Sequence, residues 1–97
     1  MNEKYILVGA DKDRYQRPVD IYVVKKFDTL KEASSYLMSY VDKCDEMINA
    51  INNKIDYIDI GDIWYELEYI DNLLVSYLQS GDDEYCSSSY KIFKITD

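Results

Sequence analysis

Apolar and polar residues follow two different rhythms along this chain, and the change of rhythm divides it into elements. Residues 5–10 (YILVGA) form a β-branched and aromatic run of strand length. Val19 to Phe27 (VDIYVVKKF) places Val19, Ile21 and Val23 on one face by the two-residue period. The polar stretch from Asp11 to Pro18 lies between them and ends in the single proline, so the two strands read as a hairpin with a long loop. From Leu30 the spacing changes to threes and fours: Leu30, Ala33, Leu37, Val41, Cys44, Ile48, Ile51, Ile55. That is one stripe of an amphipathic helix. Thr29 followed by Glu32 is a capping box at its start, with Asp28 as an alternative cap, and Asn52-Asn53 marks where it frays. Such a helix approaches ~40 Å at ~1.5 Å per residue.

Residues 54–61 (KIDYIDIG) read as a connection, although their alternation also suits a short strand. A second helix is expected from Asp62, with a stripe of Ile63, Leu67, Ile70, Leu74, Tyr77 and Leu78, Trp64 beside it, and Gly81 ending it at C′. Residues 82–89 (DDEYCSSS) read as a polar loop. Residues 90–96 read as a last strand, with Tyr90 and Ile92 opposite Phe93 and Ile95. The expected fold is therefore α+β, a single domain over 1–97 in β-β-α-α-β order. A three-stranded antiparallel or mixed sheet would carry an antiparallel helix pair on one face.

The chain has 97 residues, a formal net charge of -8, eleven tyrosines and no histidine. Its charge is uneven. Residues 1–31 hold seven basic and five acidic side chains, residues 32–89 two basic and thirteen acidic, residues 90–97 two basic and one acidic. The acidity is thus concentrated in the middle segment. Asp42, Asp45 and Glu46 would crowd the first helix, and Glu66, Glu68 and Asp71 the second. Like charges one turn apart cost a few tenths of a kcal/mol each on a helix. One reading is a negative face offered to a basic partner, with Tyr65 and Tyr69 as anchors, since complementary fields speed and orient encounter. The other is a solvated surface kept for solubility.

The missing histidine removes the usual general base, the usual triads and most zinc sites. Gly9, Gly61 and Gly81 are isolated, so there is no phosphate-cradling loop. Cys44 lies on the apolar stripe and Cys86 in a polar loop, which suggests neither a disulfide framework nor an activated nucleophile. Catalysis, a metal and a cofactor are not expected. No stretch nears the ~20 apolar residues of a membrane span, and no secretory signal is read, so the expected compartment is the cytoplasm. The acidic helices would repel nucleic acid, and Lys12, Arg14 and Arg17 read as a solvated hairpin tip.

The short length, the hairpin opening, the segment FDTLKEASSYL leading into an acidic helix, and the DDEY loop give a general character. In that character the chain resembles the small acidic inhibitors encoded by phages and other mobile elements, such as anti-CRISPR proteins and DNA mimics. The resemblance covers size, charge and element order rather than aligned residues. It implies a basic nucleic-acid-binding host protein as partner, in the host cytoplasm, with no direct nucleic-acid binding. A self-associating assembly role, as monomer or homodimer, and a small-molecule-binding domain with a pocket between helices and sheet are the alternatives.

Overall fold

The computed structural model describes residues 3–12, 18–81 and 87–96. Six strands run β1 (Glu3–Lys12), β2 (Pro18–Phe27), β3 (Tyr57–Ile60), β4 (Ile63–Ile70), β5 (Leu73–Gly81) and β6 (Ser87–Thr96). Two short helices, α1 (Leu30–Leu37) and α2 (Asp45–Asn52), lie between β2 and β3, with one 3-10 turn at Met38–Tyr40. The strands form one antiparallel sheet in the order β2-β1-β6-β5-β4-β3. This overturns the three-stranded sheet with a helix pair, and the sheet dominates the molecule.

The second expected helix does not exist. Its residues form the β4–β5 hairpin. In β4, Tyr65 and Leu67 are buried while Glu66 and Glu68 between them are exposed, a period of two. Ile63, Leu67, Ile70 and Leu74 also fit a helical stripe, and that coincidence concealed the strand. The turn decides between them. Asp71 and Asn72 both have positive φ, 51° and 66°, the pattern of a type I′ hairpin turn. Gly61, at φ 65°, makes the preceding β3–β4 turn with Asp62, so residues 57–60 are a strand rather than a connection. Gly81, expected to end a helix, lies in β5.

The first expected helix is broken. Val41 is extended at φ −79°, ψ 137°, and Cys44 at φ −75°, ψ 162° caps a new helix. Asp45 and Glu46 sit in the first turn of α2, where the positive end of the helix dipole favours carboxylates. The break also shifts the stripe: Met47 is fully buried, whereas Ile48, which a continuous helix would bury, is 45% exposed. Two predicted features stand. The Thr29 hydroxyl accepts the Glu32 N–H at 3.1 Å, and α2 ends at Asn52 with Asn53 as its cap. The residues between Lys12 and Pro18 and between Gly81 and Ser87, including Arg14, Arg17 and Cys86, lie outside the described residues, but Pro18 and Ser87 to Ser89 are strand.

Topology explains why the helices are where they are. The chain leaves β2 at one edge of the sheet and must reach β3 at the other, five strand spacings or ~24 Å away. Two eight-residue helices, each ~12 Å long, cross that width on one face. Leu7, Leu67, Tyr65, Tyr77 and Ile92 from the sheet pack against Ala33, Leu37, Val41, Met47 and Ala50 beneath the crossing. The Ser34 hydroxyl donates to the Leu74 carbonyl at 2.7 Å and pins α1 to β5. A slip between β4 and β5 lets both Leu74 and Val75 bury themselves. Gly9 accommodates a close approach: a Cβ there would lie 2.7 Å from the Tyr22 ring, which would have to shift. No helix is long and apolar enough to cross a membrane, among the described residues.

Candidate docking surface

Among the described residues, the helices cover one face of the sheet and no element crosses the other. Cross-strand register shows what the open face presents. On β4, Trp64, Glu66 and Glu68 point away from the helices, opposite in direction to the buried Tyr65 and Leu67. On the edge strand β3, Tyr57 pairs with Glu66 and Asp59 with Trp64. Directly opposite side chains stand ~5 Å apart, and alternate ones along a strand ~7 Å. Asp59, Glu66 and Glu68 thus form an acidic patch strung along ~14 Å of the open face, with Tyr57 and Trp64 beside them. The Tyr57 hydroxyl donates to Asp59 Oδ1 at 3.1 Å. Local desolvation, then that hydrogen bond and the Asp59 and Glu66 charges, hold the phenol pKa above its ordinary value. Lys91 reaches Glu68 at 3.5 Å from beyond β5.

The eight residues expected to form one site are divided by the fold. Glu66 and Glu68 share the open face, and Asp71 sits at the tip of the β4–β5 turn. Asp45 and Glu46 begin α2, on the opposite layer. Asp42, in the segment between the helices, accepts the Tyr65 hydroxyl at 3.4 Å, and its N–H donates to the Tyr77 hydroxyl at 3.4 Å. Tyr65 is no surface anchor: it is 1% exposed, in the core beside Tyr77, with ring centroids 5.7 Å apart. Tyr69 is half-buried, and its hydroxyl donates to the Ile55 carbonyl at 2.8 Å. Tyr57 and Asp59 were missed because residues 54–61 read as a connection. Their alternation with Ile58 and Ile60 was the signal that would have found them.

The other half of the open face, on β2, β1 and β6, mixes apolar and basic residues. Val8 lies between Val23 and Lys91, Ile6 between Lys26 and Phe93, Ala10 between Ile21 and Ser89, and Lys4 pairs with Ile95. Ile21 is 65% exposed, Val23 60% and Phe93 45%.

On the helix-bearing side, tyrosines serve the fold. Phe27, Tyr36, Tyr40 and Tyr90 form a chain of ring contacts with centroids 5.4, 5.9 and 4.5 Å apart. Burial, then a hydrogen bond with Tyr22 and the nearby Tyr22 and Asp11 charges, push the Tyr90 phenol up to about 12. Burial raises Tyr77 as well.

The interior between helices and sheet is a continuous side-chain cluster. Two clefts lie on the surface outside it. One of about 810 Å³ beside α1 is lined by Lys4, Lys25, Lys26 and Lys31, by Asp28 and Glu32, and by Phe27 and Tyr36, with Lys4 ion-paired to Asp28. The other, of about 630 Å³, lies near Tyr69 and Lys91. Among the described residues no cluster of three or more His, Cys, Asp or Glu side chains is placed to hold a metal. Comparison with protein-family models, with curated proteins and with solved structures gives no match. Geometry and charge are therefore the basis for a functional reading.

Proposed function

We propose that this chain is a non-catalytic binding protein of the cytoplasm that docks the acidic half of its open sheet face on a basic nucleic-acid-binding protein. The reading places it with small acidic inhibitors of the phage and mobile-element kind. The observation that carries it is the patch of Asp59, Glu66 and Glu68 around Tyr57 and Trp64. Like charges set opposite or beside one another on a sheet are destabilising, yet here three carboxylates share one face across two adjacent strands. Aromatic side chains among charges give such a patch contact area as well as field. One lysine, Lys91, is set against Glu68, and Asp59 and Glu66 lie beside Trp64 and Tyr57 rather than beside a cation. A protein whose own ligand is phosphate is the natural counterpart, because carboxylates on a rigid sheet occupy the cationic side chains that would otherwise neutralise phosphates.

The test uses the wild-type chain, a triple variant D59N/E66Q/E68Q, and a control D45N/E46Q on the opposite layer. Each is immobilised in lysate of the source cell with and without duplex DNA as competitor. The expected result is capture of a DNA-binding protein by wild type and control, displacement by duplex DNA, and at least about a tenfold loss with the triple variant. Glu66→Gln alone, which leaves the Lys91–Glu68 ion pair intact, should unfold at slightly higher urea, by about a few tenths of a kcal/mol, as like-charge repulsion is relieved. Equal capture by the triple variant, or capture indifferent to duplex DNA, would contradict the proposal.

A further inference from the structure

We infer that the groove between the outermost strand β2 and helix α1 binds an acidic, extended segment of a partner protein, which adds to the sheet edge as a further strand. β2 ends the sheet on one side, and among the described residues its only backbone partner is β1. Alternate N–H and C=O groups of an outermost strand point away from the sheet and are a template for another strand. The cleft of about 810 Å³ beside α1 opens at this edge, where Lys25, Lys26 and Phe27 all line it. Successive side chains of a strand point to opposite faces, so a cleft that meets three in succession lies along the strand's rim. Lys31 and Ser35 of α1, one turn apart and both exposed, form the facing wall, with Ser39 beyond them. A strand rim facing a helix suits an extended peptide: the backbone supplies affinity, and the side chains of the walls supply selection.

Charge identifies the occupant. Four lysines and two carboxylates line the cleft, a positive balance in a chain of net charge -8. Both carboxylates are engaged within the chain. Asp28 is ion-paired to Lys4, and Glu32 accepts the Thr29 hydroxyl at 2.9 Å. Lys25, Lys26 and Lys31 have no carboxylate partner among the described residues. The Lys25 ammonium lies over aromatic rings instead, 5.2 Å from the Tyr36 centroid and 5.6 Å from that of Phe27. Lysines on a sheet rim discourage pairing with another apolar or basic strand. Unmatched by carboxylates here, they select a strand that brings its own.

This surface is separate from the acidic patch. β2 and β3 are opposite rims of the sheet, five strand spacings or ~24 Å apart. The chain thus presents a basic rim and an acidic one, which take ligands of opposite sign.

Fluorescence anisotropy on the full chain tests the inference with a labelled peptide of about eight residues that alternates glutamate and valine. Three further probes accompany it. One is the same peptide N-methylated at every residue, which keeps its charge and loses every backbone donor. The others are the peptide with lysine in place of glutamate, and a single-stranded DNA oligonucleotide. The acidic peptide should bind, and each of the three others should bind at least about tenfold more weakly. A K25Q/K26Q/K31Q variant should lose at least about tenfold in affinity for the acidic peptide while keeping the wild-type circular dichroism spectrum. Ser35→Glu, which sets a carboxylate on the helix wall, gives a second, independent reading should the triple variant fail to fold. The D59N/E66Q/E68Q variant should bind the peptide as wild type does, which separates this inference from the docking proposal. Absence of binding up to about 1 mM peptide overturns the inference. So does equal binding of the N-methylated peptide or the oligonucleotide, which would make the cleft a general anion site. Binding that neither K25Q/K26Q/K31Q nor Ser35→Glu weakens overturns it as well.

Discussion

At the scale of single residues, the described tyrosines are the clearest case of one residue type used in two ways. Tyr57 lies half-exposed in the acidic patch, whereas Tyr65 and Tyr77 fill the core and Tyr36, Tyr40 and Tyr90 join α1 to the sheet. Sequence could identify tyrosine as a candidate anchor but not which tyrosine, because inward or outward direction depends on strand register. The buried phenols have a measurable consequence. A phenol titrates near ~10 in the unfolded chain, and Tyr90 is raised to about 12 in the fold, chiefly by burial. Above pH ~10 the unfolded state therefore sheds protons that the folded state keeps, so it is favoured as pH rises. The stabilising contribution is fully present below pH ~10 and is lost as pH climbs through about 12. Urea unfolding at pH 8, 10 and 11.5 should show a plateau and then a fall, and Tyr90→Phe should reduce the fall. An equal fall in Tyr90→Phe would deny Tyr90 that role.

At the scale of elements, what the sequence made legible was local. The β1–β2 hairpin, the Thr29–Glu32 cap and the last strand could be read because each is specified within a few residues. The first helix could be read only in its first half, since Asp45 and Glu46 signalled a new helix start rather than an acidic face. The β4–β5 hairpin was illegible to the helical period but legible to alternation plus turn chemistry. Asp71 and Asn72 tolerate the left-handed region because their short polar side chains can hydrogen-bond locally. This gives a direct check on the element. Asn72→Gly should be neutral or stabilising, while Asn72→Val should cost about 1–2 kcal/mol from left-handed strain. A helix through this segment would give the reverse order, with glycine the worse substitution, and urea unfolding of the two variants distinguishes them.

At the scale of the whole molecule, the fold rearranges the charge that the sequence displays as one acidic block. A chain crossing from β2 to β3 carries Asp42, Asp45 and Glu46 onto the helix layer, and the returning meander carries Asp59, Glu66 and Glu68 onto the open face. Of the eight expected residues only Glu66 and Glu68 reach the open face; Asp42, Asp45 and Glu46 lie on the opposite layer, and Tyr57 and Asp59 from β3 join the pair. The acidity of the middle segment could be read from sequence; its division between two layers could not, because it depends on strand order across the sheet. The central claim is that the open face is the working surface, and site-specific photo-cross-linking tests it most directly. A photoreactive amino acid would replace Tyr57 on the open face in one sample and Ile48 on the helix layer in another, each irradiated in source-cell lysate. Cross-links to a DNA-binding protein from position 57, and few or none from position 48, are predicted; cross-links from position 48 alone would contradict the account.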